Sequence, residues 1–160
     1  MRISLTRGYM TTVDDADVPL ITNYSWWALV SRSGPVYACA YVRGSGRRRT
    51  KKVLMHRLLL GASEGQEIDH VDGDGLNNRR INLRFCTRAQ NVTNNDVRRD
   101  STSGFKGVER TPRGRYHAYI KKDGHKRHLG AFATPIEAAA AYNRAADGLY
   151  GPFARGNRIE

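Results

Sequence analysis

The sequence predicts an α+β fold, with short strands gathered in small antiparallel sheets and a few helices among and after them. Three observations carry that expectation. Runs of four to eight residues rich in aromatic and β-branched side chains recur through the first hundred residues, split by Gly, Ser, Asn and Pro. One strong helix signal stands near the end, where Thr134-Pro135 is followed by Glu137 and an alanine-rich stretch. No apolar run approaches the roughly 20 residues that a membrane-spanning helix needs. At 160 residues the chain suits one ordinary domain or a tandem of small ones.

The first segment, residues 1–50, reads as a small β module with a basic arm. Gly8–Val13, Tyr24–Val30 and Val36–Val42 have strand character, and Ser33 to Pro35 punctuates a hairpin. Trp26 and Trp27 suit either base stacking or a core, and at least one is assigned to the core. Arg43 to Lys52 is a basic run flanked by Gly and Ser, with Arg47, Arg48, Arg49 and Lys51 placed to meet phosphates. Residues 1–42 otherwise receive no function from this reading. Val53 to Leu60 then passes from a strand into a short helix that Gly61 ends.

Charge narrows the partner. The formal net charge is +12, and the excess of Lys and Arg is shared evenly by the two sides of residue 100. A surface so basic favours a polyanion, nucleic acid ahead of an anionic membrane. The two cysteines, Cys39 and Cys86, lack zinc spacing and read as buried thiols of a reducing compartment. Met1 to Leu5 has no signal-peptide character, so the expected location is the cytoplasm of a bacterial or phage-infected cell, without secretion.

The chemistry gathers in the second segment, residues 51–98. Gln66 to Val71 reads as a strand, Asp72 to Gly75 as a turn and Ile81 to Cys86 as a second strand. Thr87 with Gln90 forms a capping box that starts a helix near Arg88. A hairpin packed on that helix brings Asp69, His70 and Asn91 together, although 22 residues separate the outer two. Adjacent strand residues point to opposite sides, so a bend before Asp72-Gly73 has to reconcile Asp69 with His70. A hard divalent cation held by the Asp69 carboxylate and the Asn91 amide, Mg²⁺ or Mn²⁺, would polarise a phosphodiester. His70, with an unperturbed pKa near 6.5, would take a proton from the attacking water. Arg79, Arg80 and Arg84 are equal candidates for added positive charge. Asn77 and Asn78 read most simply as turn residues. Asp72 and Asp74 suggest a calcium loop, but Leu76 and Leu83 occupy two of its ligand positions, so that reading is set aside.

Asp69-His70, Asn82-Leu83 and Asn91 together resemble the HNH nuclease motif, in the variant where Asn replaces the last His, as in phage and intron homing endonucleases. Met55-His56-Arg57-Leu58, Asp72-Gly73, Asn77-Asn78 and Asn82-Leu83-Arg84 extend the match. The resemblance implies a ββα-metal core, with Asp69 and Asn91 as metal ligands and His70 as general base. It implies that Asn82 holds either the metal loop or the imidazole. His56 matches a family position and is read as a structural or phosphate-contacting residue, with Arg84 in the same group.

Residues 99–104 read as a linker and 105–157 as a separate module. From Arg115 to Lys121 the pattern alternates, with Tyr116, Ala118 and Ile120 on one side and Arg115, His117, Tyr119 and Lys121 on the other. Asp123-Gly124 suits a hairpin turn, after which Lys126 and His128 continue the polar side. The expected helix runs from Pro135 to Asp147, stopped by Gly148, with Ala138, Ala141, Tyr142 and Ala145 against the sheet. Ser103 to Val108, Gly114 to Ile120, Leu129 to Phe132, Thr134 to Ala146 and Gly151 to Ala154 are similar to the AP2 DNA-binding domain. That resemblance implies a three-stranded antiparallel sheet on one helix and DNA contacts at Lys106, Arg113, Arg115, Tyr119, Lys121, Lys126 and His128. Glu109, Arg113 and His128 depart from its pattern, so its target sequences do not transfer.

The expected function is a site-directed DNA endonuclease of the homing type, a monomer on double-stranded DNA that nicks one strand and leaves a 5′-phosphate and a 3′-hydroxyl. The alternative is a catalytically inactive, sequence-specific DNA-binding regulator on the same scaffold. The two differ in whether His70 matters to any activity.

Overall fold

The strand-forming runs pair with near neighbours in sequence, which divides the protein into several small antiparallel sheets. A computed structural model describes residues 1–31, 34–43, 50–94, 101–122 and 124–159. The chain separates into two compact units, Met1–Arg88 and Ala89–Glu160.

In the first unit, β1 (Arg2–Ser4) and β2 (Met10–Thr12) form a hairpin. The Gly8–Val13 pattern predicts a strand from Gly8. Instead, Thr6–Gly8 is a 3₁₀ turn with Arg7 at φ 61°, and pairing starts at Met10. Asp15–Asp17 continues into the short helix α1 (Val18–Ile21), which the sequence reading did not anticipate. Next come β3 (Trp27–Val30), β4 (Val36–Arg43) and β5 (Thr50–Leu54), in that order in one sheet. The expected strand at Tyr24 starts only at Trp27, because the Trp26 indole N–H turns back to the Ile21 carbonyl at 2.9 Å. Trp26 packs on the core, whereas Trp27 stacks on the exposed Tyr41. The Ser33 turn and Arg47, Arg48 and Arg49 lie outside the described residues.

Helix α2 (Met55–Leu59) follows β5 directly, as the Val53–Leu60 pattern predicted. After it, β6 (Glu67–His70) and β7 (Leu83–Cys86) pair antiparallel, with Asp69 opposite Arg84 and His70 opposite Leu83. Ile81 and Asn82, read as strand, belong to a 3₁₀ turn, Arg80–Asn82, that feeds β7. The core beneath these pieces joins Leu5, Val13, Ile21, Ala28, Ala38, Met55, Leu59, Ile68 and Leu83. Burying each of the larger of these side chains contributes about 1.5–3 kcal/mol, so three small sheets are welded through one interior. Cys39 is buried, but Cys86 is only half-buried; both are free thiols.

The helix α3 (Arg88–Thr93) begins on the last residue of the first unit. The second unit carries β8 (Val108–Arg110), β9 (Tyr116–Lys122) and β10 (His125–Phe132), with β9 central and both pairings antiparallel. Ala118 and Ile120 are buried and the alternate residues face away, as the alternation predicted. Helix α4 (Pro135–Tyr150) opens on the Thr134–Glu137 capping box. It passes Gly148 and ends at Gly151, whose φ of 52° a glycine tolerates best. Its buried face is Ala138, Ala139, Tyr142 and Ala146, with the expected Ala141 and Ala145 only partly buried at the edges of the same packing. Gly107 lies close against that helix: a side chain there would fall on the Tyr142 ring. Asn157 ties the end of this unit down, bonding both backbone groups of Lys106 and the Asn143 amide.

Candidate active site

Strand β6 ends in three consecutive buried residues, Ile68, Asp69 and His70. A strand sends neighbouring side chains to opposite faces, and the two polar ones duly find different partners. The Asp69 carboxylate meets Arg84 directly across the ladder, with Oδ2 accepting from Nε at 2.9 Å and Nη2 at 2.6 Å. The ladder holds through His70, and the chain turns at once, the Gly73 N–H reaching the His70 carbonyl at 2.8 Å.

The imidazole of His70 lies among three groups. Its Nε2 is 3.3 Å from Asn78 Oδ1, its ring meets His56 edge-to-face at 4.9 Å between centroids, and Tyr37 is 5.9 Å away. Burial pushes the His70 pKa down, partly offset by the Asn78 bond and the negative charges of Asp72, Asp69 and Asp74. Burial therefore favours the neutral ring, the state a general base requires. His56 is more affected: burial, the neighbouring His70 and Arg57 lower it to about 3. Its Nδ1 is buried with no hydrogen-bond partner among the described residues.

The loop from Val71 to Arg79 is stapled by Asn82. The Asn82 side chain accepts from the Asp72 N–H at 3.1 Å and donates to Asp72 Oδ1 at 2.9 Å and the Asn77 carbonyl at 2.8 Å. Asp72 Oδ1 also accepts from the Asp74 N–H, and Asp74 Oδ1 from the Leu76 N–H. These carboxylates are thus occupied in turning the backbone. Burial raises the Asp72 pKa, but the bonds from Asn77, Asp74 and Asn82 outweigh it and hold the group below the usual carboxylate range. Gly75 lets this loop touch β4, since a Cβ there would strike the Val36 carbonyl and lie 2.6 Å from the Tyr37 ring.

Of the three arginines the sequence left open, Arg84 is the one set against Asp69. Arg80 instead grips the buried Asp17 through Nε and Nη2. Asn91 lies in α3 within the second compact unit, while Asp69 lies in the first. His56 is buried beside His70. Asn78 belongs to the stretch that extends the family match, but from sequence it reads as a turn residue; Tyr37 and Thr11, which reach this site from distant strands, carry no sequence signal of a site role. The adjacent Asn77-Asn78 pair was the only signal available, and it did not separate the two roles.

The donor chemistry suits a hard divalent cation. Among the described residues no group of three His, Cys, Asp or Glu side chains converges as a metal cage. A metal at Asp69 would therefore have few protein ligands, with neutral oxygens, water and phosphate completing its shell, as is usual for Mg²⁺-like ions.

On the second unit, register places Glu109, His117, Tyr119, Lys121, Lys126 and His128 on one face of the sheet. Lys126 Nζ stands 3.8 Å over the Tyr119 ring and 2.6 Å from Glu109. His128 lies 5.0 Å from both His117 and Tyr119. Arg113 and Arg115 are exposed, and Arg115 reaches the Ala131 carbonyl. Lys106 is half-buried, and Lys51 is exposed on β5 of the first unit.

Comparison with known proteins identifies the family. Residues 53–93 match the family model described as HNH endonuclease. The chain is 31% identical over 148 residues to an uncharacterized HNH endonuclease, L560, of Acanthamoeba polyphaga mimivirus, covering 89% of this chain and 71% of that one. The chain belongs to the HNH endonucleases, and it is a nuclease, a hydrolase whose family acts on DNA and generally uses a divalent metal ion. It is also 32% identical over 93 residues to Protein 3.8 of Escherichia phage T7, covering 58% of this chain and 76% of that one. Over 60 residues it is 40% identical to dehydration-responsive element-binding protein 2A of Oryza sativa, which covers 36% of this chain and only 22% of the relative. No solved structure matches the chain significantly.

Proposed function

We propose that this endonuclease is of the homing type, nicking one strand of double-stranded DNA as a monomer and leaving a 5′-phosphate and a 3′-hydroxyl. The observation that carries the reading is the end of β6: a buried His70 next to Asp69, followed by a loop that Asn82 fastens. Asp69 and Asn91 are the proposed ligands of a Mg²⁺ or Mn²⁺ ion. That ion, when bound, neutralises phosphate charge and stabilises the departing oxygen. His70 takes the proton of the attacking water, and its neutral state leaves a ring nitrogen with a lone pair for this. Asn82 fixes the backbone that leads out of β6, so the base and the carboxylate keep their places. Arg84 holds the Asp69 carboxylate in one orientation.

The four-part division into residues 1–50, 51–98, 99–104 and 105–157 belongs to the same proposal. The last part is read as an AP2-like module that lays its cationic face on DNA. The plant relative named for element binding, together with Tyr119, Lys121, Lys126 and His128 on one face, supports this. Arg47, Arg48, Arg49, Lys51, Lys106, Arg113 and Arg115 complete the proposed contacts. The proposed location is the cytoplasm of a bacterial or phage-infected cell. The test is incubation with phage genomic DNA in Mg²⁺, Mn²⁺ or EDTA, with strand ends mapped. Discrete metal-dependent nicks with 5′-phosphate ends support the reading; a smear or double-strand cuts would refute the homing, nicking form.

A further inference from the structure

The N-terminal hairpin has no evident part in DNA cleavage, yet one of its side chains reaches the active site. Thr11 on β2 is fully buried, as is Asn78. The Asn78 Nδ2 donates to Thr11 Oγ1 at 2.8 Å, and Thr11 Oγ1 lies 2.8 Å from the Leu76 carbonyl oxygen. On its other side the Asn78 Oδ1 faces His70 Nε2. The backbone locks the frame around this chain of groups. Thr12 N–H bonds Leu76 O at 2.9 Å, Asn78 N–H bonds Thr12 O at 2.7 Å, and Thr12 bridges Asn77 in parallel.

A hydroxyl has one proton to give. Thr11 has two acceptors for it besides Asn78, the Leu76 oxygen at 2.8 Å and the Met55 sulfur at 3.9 Å. Two bare oxygens held 2.8 Å apart in a dry interior would repel, so the proton lies between Thr11 and Leu76. Thr11 is then purely an acceptor toward Asn78. The amide must present its NH₂ to Thr11 and its oxygen to His70. An oxygen facing Nε2 at that distance requires a proton on Nε2.

We propose that Thr11 and Asn78 are positioning residues that set the His70 tautomer, fixing the proton on Nε2 and leaving Nδ1 as the atom that takes the water proton. The hairpin thereby has a role in catalysis without touching the substrate. The inference rests on the reading of His70 as the base, so its test needs a readout separate from cleavage.

That readout is long-range ¹H–¹⁵N correlation of imidazole nitrogens in the full chain at pH 7.5, with the His70 signals assigned by their loss in His70→Gln. The wild type should show the Nε2–H pattern. Thr11→Val, nearly isosteric but without a hydroxyl, frees the amide to turn. It should give a mixed or Nδ1–H pattern and lower kcat about tenfold, with KM within about twofold. Thr11→Ser should restore both the pattern and the rate. An Nδ1–H wild type would overturn the proposal, even if Thr11→Val failed to fold. So would a folded Thr11→Val with unchanged tautomer and rate. Cleavage by His70→Ala at the wild-type rate would instead overturn the base assignment, while the tautomer signals still report the relay.

Discussion

Asp69 and Arg84 face each other across the β6–β7 ladder, the carboxylate Oδ2 2.6 Å from the guanidinium Nη2, with side chains 5% and 19% exposed. Removing one member of such a pair strands the other charge in a poor solvent. Arg84→Ala should lower stability by about 2–4 kcal/mol, less than a fully buried pair would lose because Arg84 keeps some water. Asp69→Asn in the same background should recover part of that loss. Urea unfolding of the four proteins in a double-mutant cycle measures it; additive losses would show that the pair is not coupled.

Asn82 makes three hydrogen bonds to the loop and is 7% exposed. At about 1 kcal/mol each, and with buried partners left unsatisfied, Asn82→Ala should cost about 2–4 kcal/mol. Amide exchange at Asp72 should quicken as the loop loosens. An Asn82→Ala protein with wild-type stability and an unchanged Asp72 exchange rate would remove Asn82 from this role.

Acid should weaken the first unit. His56 is lowered from 6.5 to about 3 in the folded state. A group depressed in this way contributes stability that is fully present above pH 6.5 and lost as pH falls through about 3, because the unfolded chain takes up the proton first. Between pH 7 and pH 4.5 the loss should be about 2–3 kcal/mol. His70 shifts in the same direction and adds to it. His56→Phe should flatten the slope of stability against pH even if its absolute stability changes. Urea melts across that range decide the matter, and an unaltered slope would count against a buried neutral His56.

The cationic sheet face should show itself in salt dependence. If Lys121 meets a phosphate, Lys121→Ala should reduce the slope of log K against log salt by about 0.9. Lys126→Ala should reduce it less, because Glu109 already shares that charge. Fluorescence anisotropy over a range of salt concentrations provides the slopes. No change for either variant would move the DNA to another surface.

Much of this was legible in local pattern. The β9 alternation, the Thr134 capping box and the β5–α2 junction depend on neighbours in sequence, and all three formed as expected. The Asp69–His70 pair was found because its spacing to Asn82 and Asn91 is a pattern along the chain. Helix α4 outran Gly148 because a single glycine costs only about 1 kcal/mol, less than packing returns. What pattern could not reveal is long-range. Thr11 and Asn78 are 67 residues apart and both are ordinary turn or strand residues, so nothing local marks them as partners. Arg80 and Arg84 looked alike until the fold gave one to Asp17 and the other to Asp69.

The central claim is that His70 acts on the water and does not hold the fold or the DNA. It is tested most directly by His70→Ala, assayed for Mg²⁺-dependent nicking and for DNA affinity in the same preparation. The account predicts cleavage reduced by at least about a hundredfold, the usual scale for a general base, with affinity within about threefold. Wild-type cleavage, or a loss of binding as large as the loss of cleavage, would contradict it.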